Sequence, residues 1–111
     1  MKKITLLVCF LLTFAQPAVY AHDKNGWVNI ARIETTYFPN NIKFQLTAPL
    51  GSCQSSNWIS YIPKGNTTEE KHLNAQATLS ILTAALLSNK KIHLYITQSN
   101  CSVDFIHLLN Q

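Results

Sequence analysis

The chain has 111 residues, a formal net charge of +4 and 47% hydrophobic residues, enough for one domain with a single core. Two of the nine basic residues are Lys2 and Lys3 in the first segment, so the remainder carries only +2, and only Lys90 and Lys91 cluster there. No basic stripe interleaved with aromatics follows them, which argues against a nucleic-acid partner.

Lys2 and Lys3 precede an apolar run from Ile4 to Ala15, and Val19-Tyr20-Ala21 supplies the small residues a signal peptidase reads. The run is too short to span a bilayer, so residues 1–21 are expected to be a secretory signal peptide cleaved before His22. Residues 22–111 then form one secreted or periplasmic domain with no membrane span. Cys9 leaves with the leader, and the remaining pair, Cys53 and Cys101, is expected to form a disulfide in an oxidising compartment.

From Gly26 to Thr36 the residues predict one long strand with a bulge near Ala31-Arg32. Pro39-Asn40-Asn41 is a turn, and beyond it Ile42, Phe44 and Leu46 alternate with Lys43 and Gln45, predicting one buried and one wet face. A loop around Cys53 leads to a short aromatic strand, Trp58 to Ile62, stopped by Pro63 and Gly65. Thr67 with Glu70 is a capping-box pattern that predicts a helix from Thr68 to Ser88, with Asn89 in a left-handed cap. Two further strands, Lys91 to Thr97 and Ser102 to Leu109, close the chain, with Cys101 in the turn between them.

Three strands, a helix and two strands predict a mainly β protein with one long helix, in the order β-β-β-α-β-β of an OB-fold-like, five-stranded Greek-key barrel. A ferredoxin-like alternative requires a second helix, and no helical period precedes Thr67. Ala75, Leu79, Leu82 and Leu86 fall within about 40° on a helical wheel and form the core-facing stripe. The opposite face carries Leu73, Gln76, Ala77, Ser80, Thr83, Ala84 and Leu87, and no Asp, Glu, Lys or Arg occurs between His72 and Asn89. A face so poor in charge is expected to pack against another protein surface, here a second copy of the chain.

Candidate chemistry is sparse. His72, His93 and His107 have no ligand spacing, so no metal or other cofactor is expected. No G-x-S-x-G elbow accompanies the serines, and the cysteines are paired, so the chain reads as a non-enzyme. Thr35, Thr36 and Tyr37 beside Asn40 and Asn41 gather hydroxyls, amides and a ring at a hairpin end, a composition suited to sugars.

These features together resemble the B subunits of subtilase-cytotoxin-like and pertussis-like AB5 toxins. The resemblance rests on Gly26 and its aliphatic strand, Cys53, Trp58 to Tyr61, the helix segment Leu79-Ser80-Ile81-Leu82-Thr83-Ala84-Ala85, Lys90-Lys91-Ile92, Tyr95, Cys101 and Val103-Asp104-Phe105-Ile106. It implies a homopentameric ring lined by the helices, a catalytic A subunit as partner, and binding of cell-surface glycans. The family's sialic-acid-contacting serine at the start of the first strand aligns with Asn25, which changes that contact. Asn25, Thr35, Thr36 and Tyr37 are therefore the expected ligand contacts, with Lys64 a partner for a carboxylate. The alternative function is a small periplasmic or secreted OB-fold binding module or inhibitor that acts on a protein partner through a barrel face or strand edge.

Overall fold

A computed structural model describes residues 22–110, so the leader expected over residues 1–21 lies outside the described residues. The elements are β1 (Lys24–Val28), β2 (Ile30–Glu34), β3 (Ile42–Leu46), β4 (Ile59–Tyr61), α1 (Thr68–Ser88), β5 (Ile92–Thr97) and β6 (Ser102–His107). They form a mainly β protein with one helix and a curled, mixed six-stranded sheet in the order β1-β5-β6-β4-β3-β2. Five pairs of neighbours make up that order, and only β4 and β6 run parallel.

Six strands replace the expected five because the stretch read as one long strand divides at Asn29. Its two halves serve different neighbours: Val28 lies opposite Ile92 of β5, whereas Ile30 lies opposite Leu46 of β3. A straight strand cannot pair both ways, so the chain turns at Asn29. There the Asn29 carbonyl accepts from Thr47 N–H (3.1 Å) and its side-chain amide donates to the Asn89 carbonyl (3.2 Å). The two ends of the sheet order are thus joined through a single residue, and the sheet curls. The bulge falls where expected: register passes from Ile30↔Leu46 to Arg32↔Gln45, leaving Ala31 as the extra residue. β4 and β6 are shorter than expected; Trp58, Ile62, Leu108 and Leu109 lie outside them and are exposed.

Alternation along β3 and β5 builds the core. Ile42, Phe44 and Leu46, Ile92, Leu94 and Ile96, with Ile59 and Leu82, are all fully buried. One expectation for β3 fails: Gln45, placed on a wet face, is buried. The β2–β3 register brings Arg32 to it, whose Nε donates to Gln45 Oε1, while Gln45 Nε2 donates to the Ser56 carbonyl at 2.9 Å. Arg32 in turn lies 5.2 Å from the centre of the Trp58 ring. Burial is thereby compensated at both ends of the amide.

The helix begins and ends where its caps dictate. Thr67 Oγ1 accepts from Glu70 N–H (3.1 Å), and the Glu70 carboxylate accepts from Asn66 N–H (2.7 Å), one residue earlier than in the usual reciprocal box. Asn89 stops it in the left-handed region, with φ 53° and ψ 36°. Its buried row is Ala75, Thr78, Leu82 and Ala85. Leu79 and Leu86 of the expected stripe are only half-buried against the core, so the true contact line is rotated toward Thr78 and Ala85. Small residues there let the backbone approach the sheet closely. The Cys53–Cys101 disulfide forms as expected, tying the β3–β4 loop to the β5–β6 turn with both residues buried.

Candidate functional site

The inward turn of Ile92, Leu94 and Ile96 forces His93 and Tyr95 outward on β5. Register then supplies their neighbours: Asn25 and Phe105 flank Tyr95 in one cross-strand row, and Trp27 and His107 flank His93 in the next. Six side chains from three strands thus form a two-by-three grid. At these spacings cross-strand rings touch, and they do.

Trp27 stacks on His93 with centroids 5.0 Å apart and planes at 20°, and His93 meets Tyr95 at 4.7 Å. Tyr95 reaches His107 at 5.0 Å and Phe105 edge-on at 6.0 Å. His22 closes the row, edge-on to Tyr95 at 4.7 Å. Asn25 Oδ1 and His93 Nε2 lie at hydrogen-bonding distance, 3.1 Å. Trp27 and Phe105 are 44% and 47% exposed, although each is large and apolar. Gly26 serves the other side of β1: a Cβ there would lie 2.8 Å from Leu50 Cδ1, so its absence lets Leu50 close the core beneath the grid.

The nearby carboxylates are engaged elsewhere. Asp104 accepts from Thr97 Oγ1 at 2.7 Å and Asp23 from Gln98 N–H at 2.9 Å. The face therefore offers ring surfaces edged by imidazole, amide and phenol groups. Such a surface can stack against a flat ligand of mixed polarity and hydrogen-bond its rim.

The expected ligand residues do not converge. Asn25 is part of the grid. Thr35, Thr36 and Tyr37 lie in the β2–β3 loop, beside an open hollow lined also by Asn40, Asn41 and Lys43. There the Thr36 N–H (2.7 Å) and hydroxyl both donate to Glu34 Oε1, so that hydroxyl is already committed. Those Thr36 hydrogen bonds, side chain first, together with the Lys43 charge hold the Glu34 carboxyl below its ordinary value. Lys43 Nζ also sits 5.0 Å from the Tyr37 ring centre. Lys64 lies away from the β2–β3 loop, in a groove beside Tyr61 and Asn74 that Phe105 and His107 of the grid also line.

On α1, Leu73, Gln76, Ala77, Ser80, Ala84 and Leu87 are exposed, Leu73 to 59% and Leu87 to 81%, and Thr83 is half-buried. Ser80 Oγ donates back to the Gln76 carbonyl at 2.9 Å. Among the described residues no three of His, Cys, Asp and Glu are grouped to hold a metal, and no helix is long and apolar enough to cross a membrane.

Reading each strand alone missed the grid. His93 and His107 pass for scattered surface residues until antiparallel pairing sets them side by side, with ring centres 6.3 Å apart. The available signal was outward aromatic alternation on β1, β5 and β6, which yields a site only once the three strands are placed together. No protein-family model matches the chain, and no characterised protein or solved structure is significantly similar to it.

Proposed function

We propose that the chain is a secreted, non-enzymatic, OB-fold-like domain that binds glycans as the B subunit of a toxin-like assembly. Taking β1 and β2 as halves of one bent strand gives five strands with a single parallel pair, which supports that reading of the fold. The observation that carries the function is the outward-facing grid of Trp27, His93, Tyr95, Phe105 and His107 with Asn25 at its corner. A pyranose lays an apolar face on such rings while its hydroxyls meet the amide and imidazoles. The first sugar contact then falls at Asn25 and Trp27, with Thr35 to Tyr37 as a separate surface and Lys64 in the groove on the far, β6 side of the grid.

A glycan array probed with the mature, oxidised protein tests this. The native protein should label a discrete set of sugars, and Trp27→Ala should weaken labelling about tenfold with an unchanged circular dichroism spectrum, as expected for loss of one stacking ring. No labelling of any sugar by a folded native protein would refute the reading.

The charge-free helix face supports assembly into a ring of five, in which weak single sites gain avidity and a catalytic subunit is carried. Light scattering after size exclusion should return a mass near five protomers. Leu87→Glu together with Ala84→Glu should return a monomer, because two like charges one helical turn apart cannot pair with each other at a buried interface. A monomeric native protein would remove the ring.

A further inference from the structure

β4 and β6 run parallel but share one register pair, Ser60 opposite Ser102, beside a hydrogen bond from Ser60 N–H to the Cys101 carbonyl (3.0 Å). Beyond it they part. β5 covers one edge of β6, yet the other edge, over Asp104 to His107, has no strand partner among the described residues. Between this edge and a wall made by Tyr61 and Lys64 runs a groove of about 400 Å³, lined on α1 by Asn74, Thr78 and Ile81. That is the size of an ordinary ligand site.

Three features specify what fits. Alternate backbone N–H and C=O groups of an open strand edge point away from the sheet, and an extended backbone satisfies them in sequence. The edge faces a groove lined by β4 and α1 side chains, which offers room for one extended chain. Four strand residues span about 13 Å, enough for a four- or five-residue segment. Lys64 supplies charge: its ammonium lies 6.0 Å from the Tyr61 ring centre, and although Asp104 lines the same groove, its carboxylate accepts from Thr97 Oγ1 (2.7 Å). The Lys64 wall is held by Asn74, whose Oδ1 accepts from both Tyr61 Oη (2.7 Å) and Lys64 N–H (2.8 Å). Groove and edge are therefore preformed.

We propose that this groove captures an extended segment of a partner protein, which adds to β6 as a further strand and sets an acidic side chain against Lys64. The inference stands on the open edge and the groove, and does not require that the aromatic grid bind sugar.

The test is a titration of isotopically labelled mature protein with a capped hexapeptide that alternates valine and threonine around one glutamate, followed by amide shifts and hydrogen exchange. Shifts should centre on Asp104 to His107, Lys64 and Thr78, and the β6 amides should become protected. Two N-methylated peptides, blocked at alternate nitrogens in opposite phases, should differ: one loses binding and the other keeps it, since only one phase faces β6. Lys64→Glu should weaken the glutamate peptide up to about fivefold and favour its lysine counterpart, the range of an exposed ion pair. The proposal is overturned by any of three results: no groove shifts at millimolar peptide, equal binding of both N-methylated peptides, or protection of the same amides by raising the protein concentration alone, which would make a second copy the occupant.

Discussion

Replacing Cys53 and Cys101 together by alanine is expected to lower the unfolding free energy by about 4 kcal/mol, the chain-entropy value for opening a loop of this length. The bond closes a 48-residue separation that contains β4, α1 and β5. Without it, the unfolded chain regains the freedom of more than half the domain. A domain of this size has 5 to 15 kcal/mol at most, typically near the lower end, so the loss would leave it marginal. Both cysteines are buried, and alanine rather than serine avoids adding an unpaired hydroxyl. The measurement is urea unfolding of the variant beside the native protein, with the native protein under reducing conditions as a second route to the same state. Agreement of the two midpoints with a large downward shift is the expected result. A shift below about 1 kcal/mol would mean that the unfolded chain is already compact around this loop.

Phe44→Ala is expected to cost about 3 to 5 kcal/mol, through lost transfer energy and the cavity left behind. Phe44 is fully buried in the middle of β3, with Ile33 of β2 opposite on one side and Ile59 of β4 on the other. Both register partners are held in the sheet, which limits collapse into the void. Where the alanine variant fails to fold, Phe44→Leu should remain folded with a loss of about 1.5 kcal/mol, because volume is better conserved. Equilibrium denaturation of the two variants checks the order. Equal and small losses would show that the curled sheet relaxes around the gap, contrary to a core closed on both sides of β3.

The two effects locate stability on the inner face and in the disulfide, away from the exposed grid. Trp27 contributes to the outer face, where truncation removes a stacking partner of His93 and leaves Phe44 and its neighbours untouched. Substitution of Trp27 should therefore test the proposed glycan binding without loss of the fold.

The helix was legible in the chain because its limits are local chemistry: Thr67, Glu70 and Asn89 act within one turn of the residues they cap. Strand alternation in β3 and β5 was legible for the same reason, since a period of two needs no partner to be seen. The even cysteine pair named its own bond. Pairing decided the rest. Asn29 divides a continuous run of strand-forming residues only because β5 and β3 draw its two halves in different directions. Gln45 is buried because Arg32, thirteen positions away, arrives opposite it. The helix contact line rotated to Thr78 and Ala85 because the sheet rewards close approach, which a helical wheel cannot weigh. The aromatic grid draws on residues from Asn25 to His107, and neither composition nor spacing links them. Periodicity and capping are written within a few residues, whereas register is a property of the whole sheet, so the helix limits and the core alternation were determined by sequence alone, and the division of the first strand and the surface presented by tertiary structure.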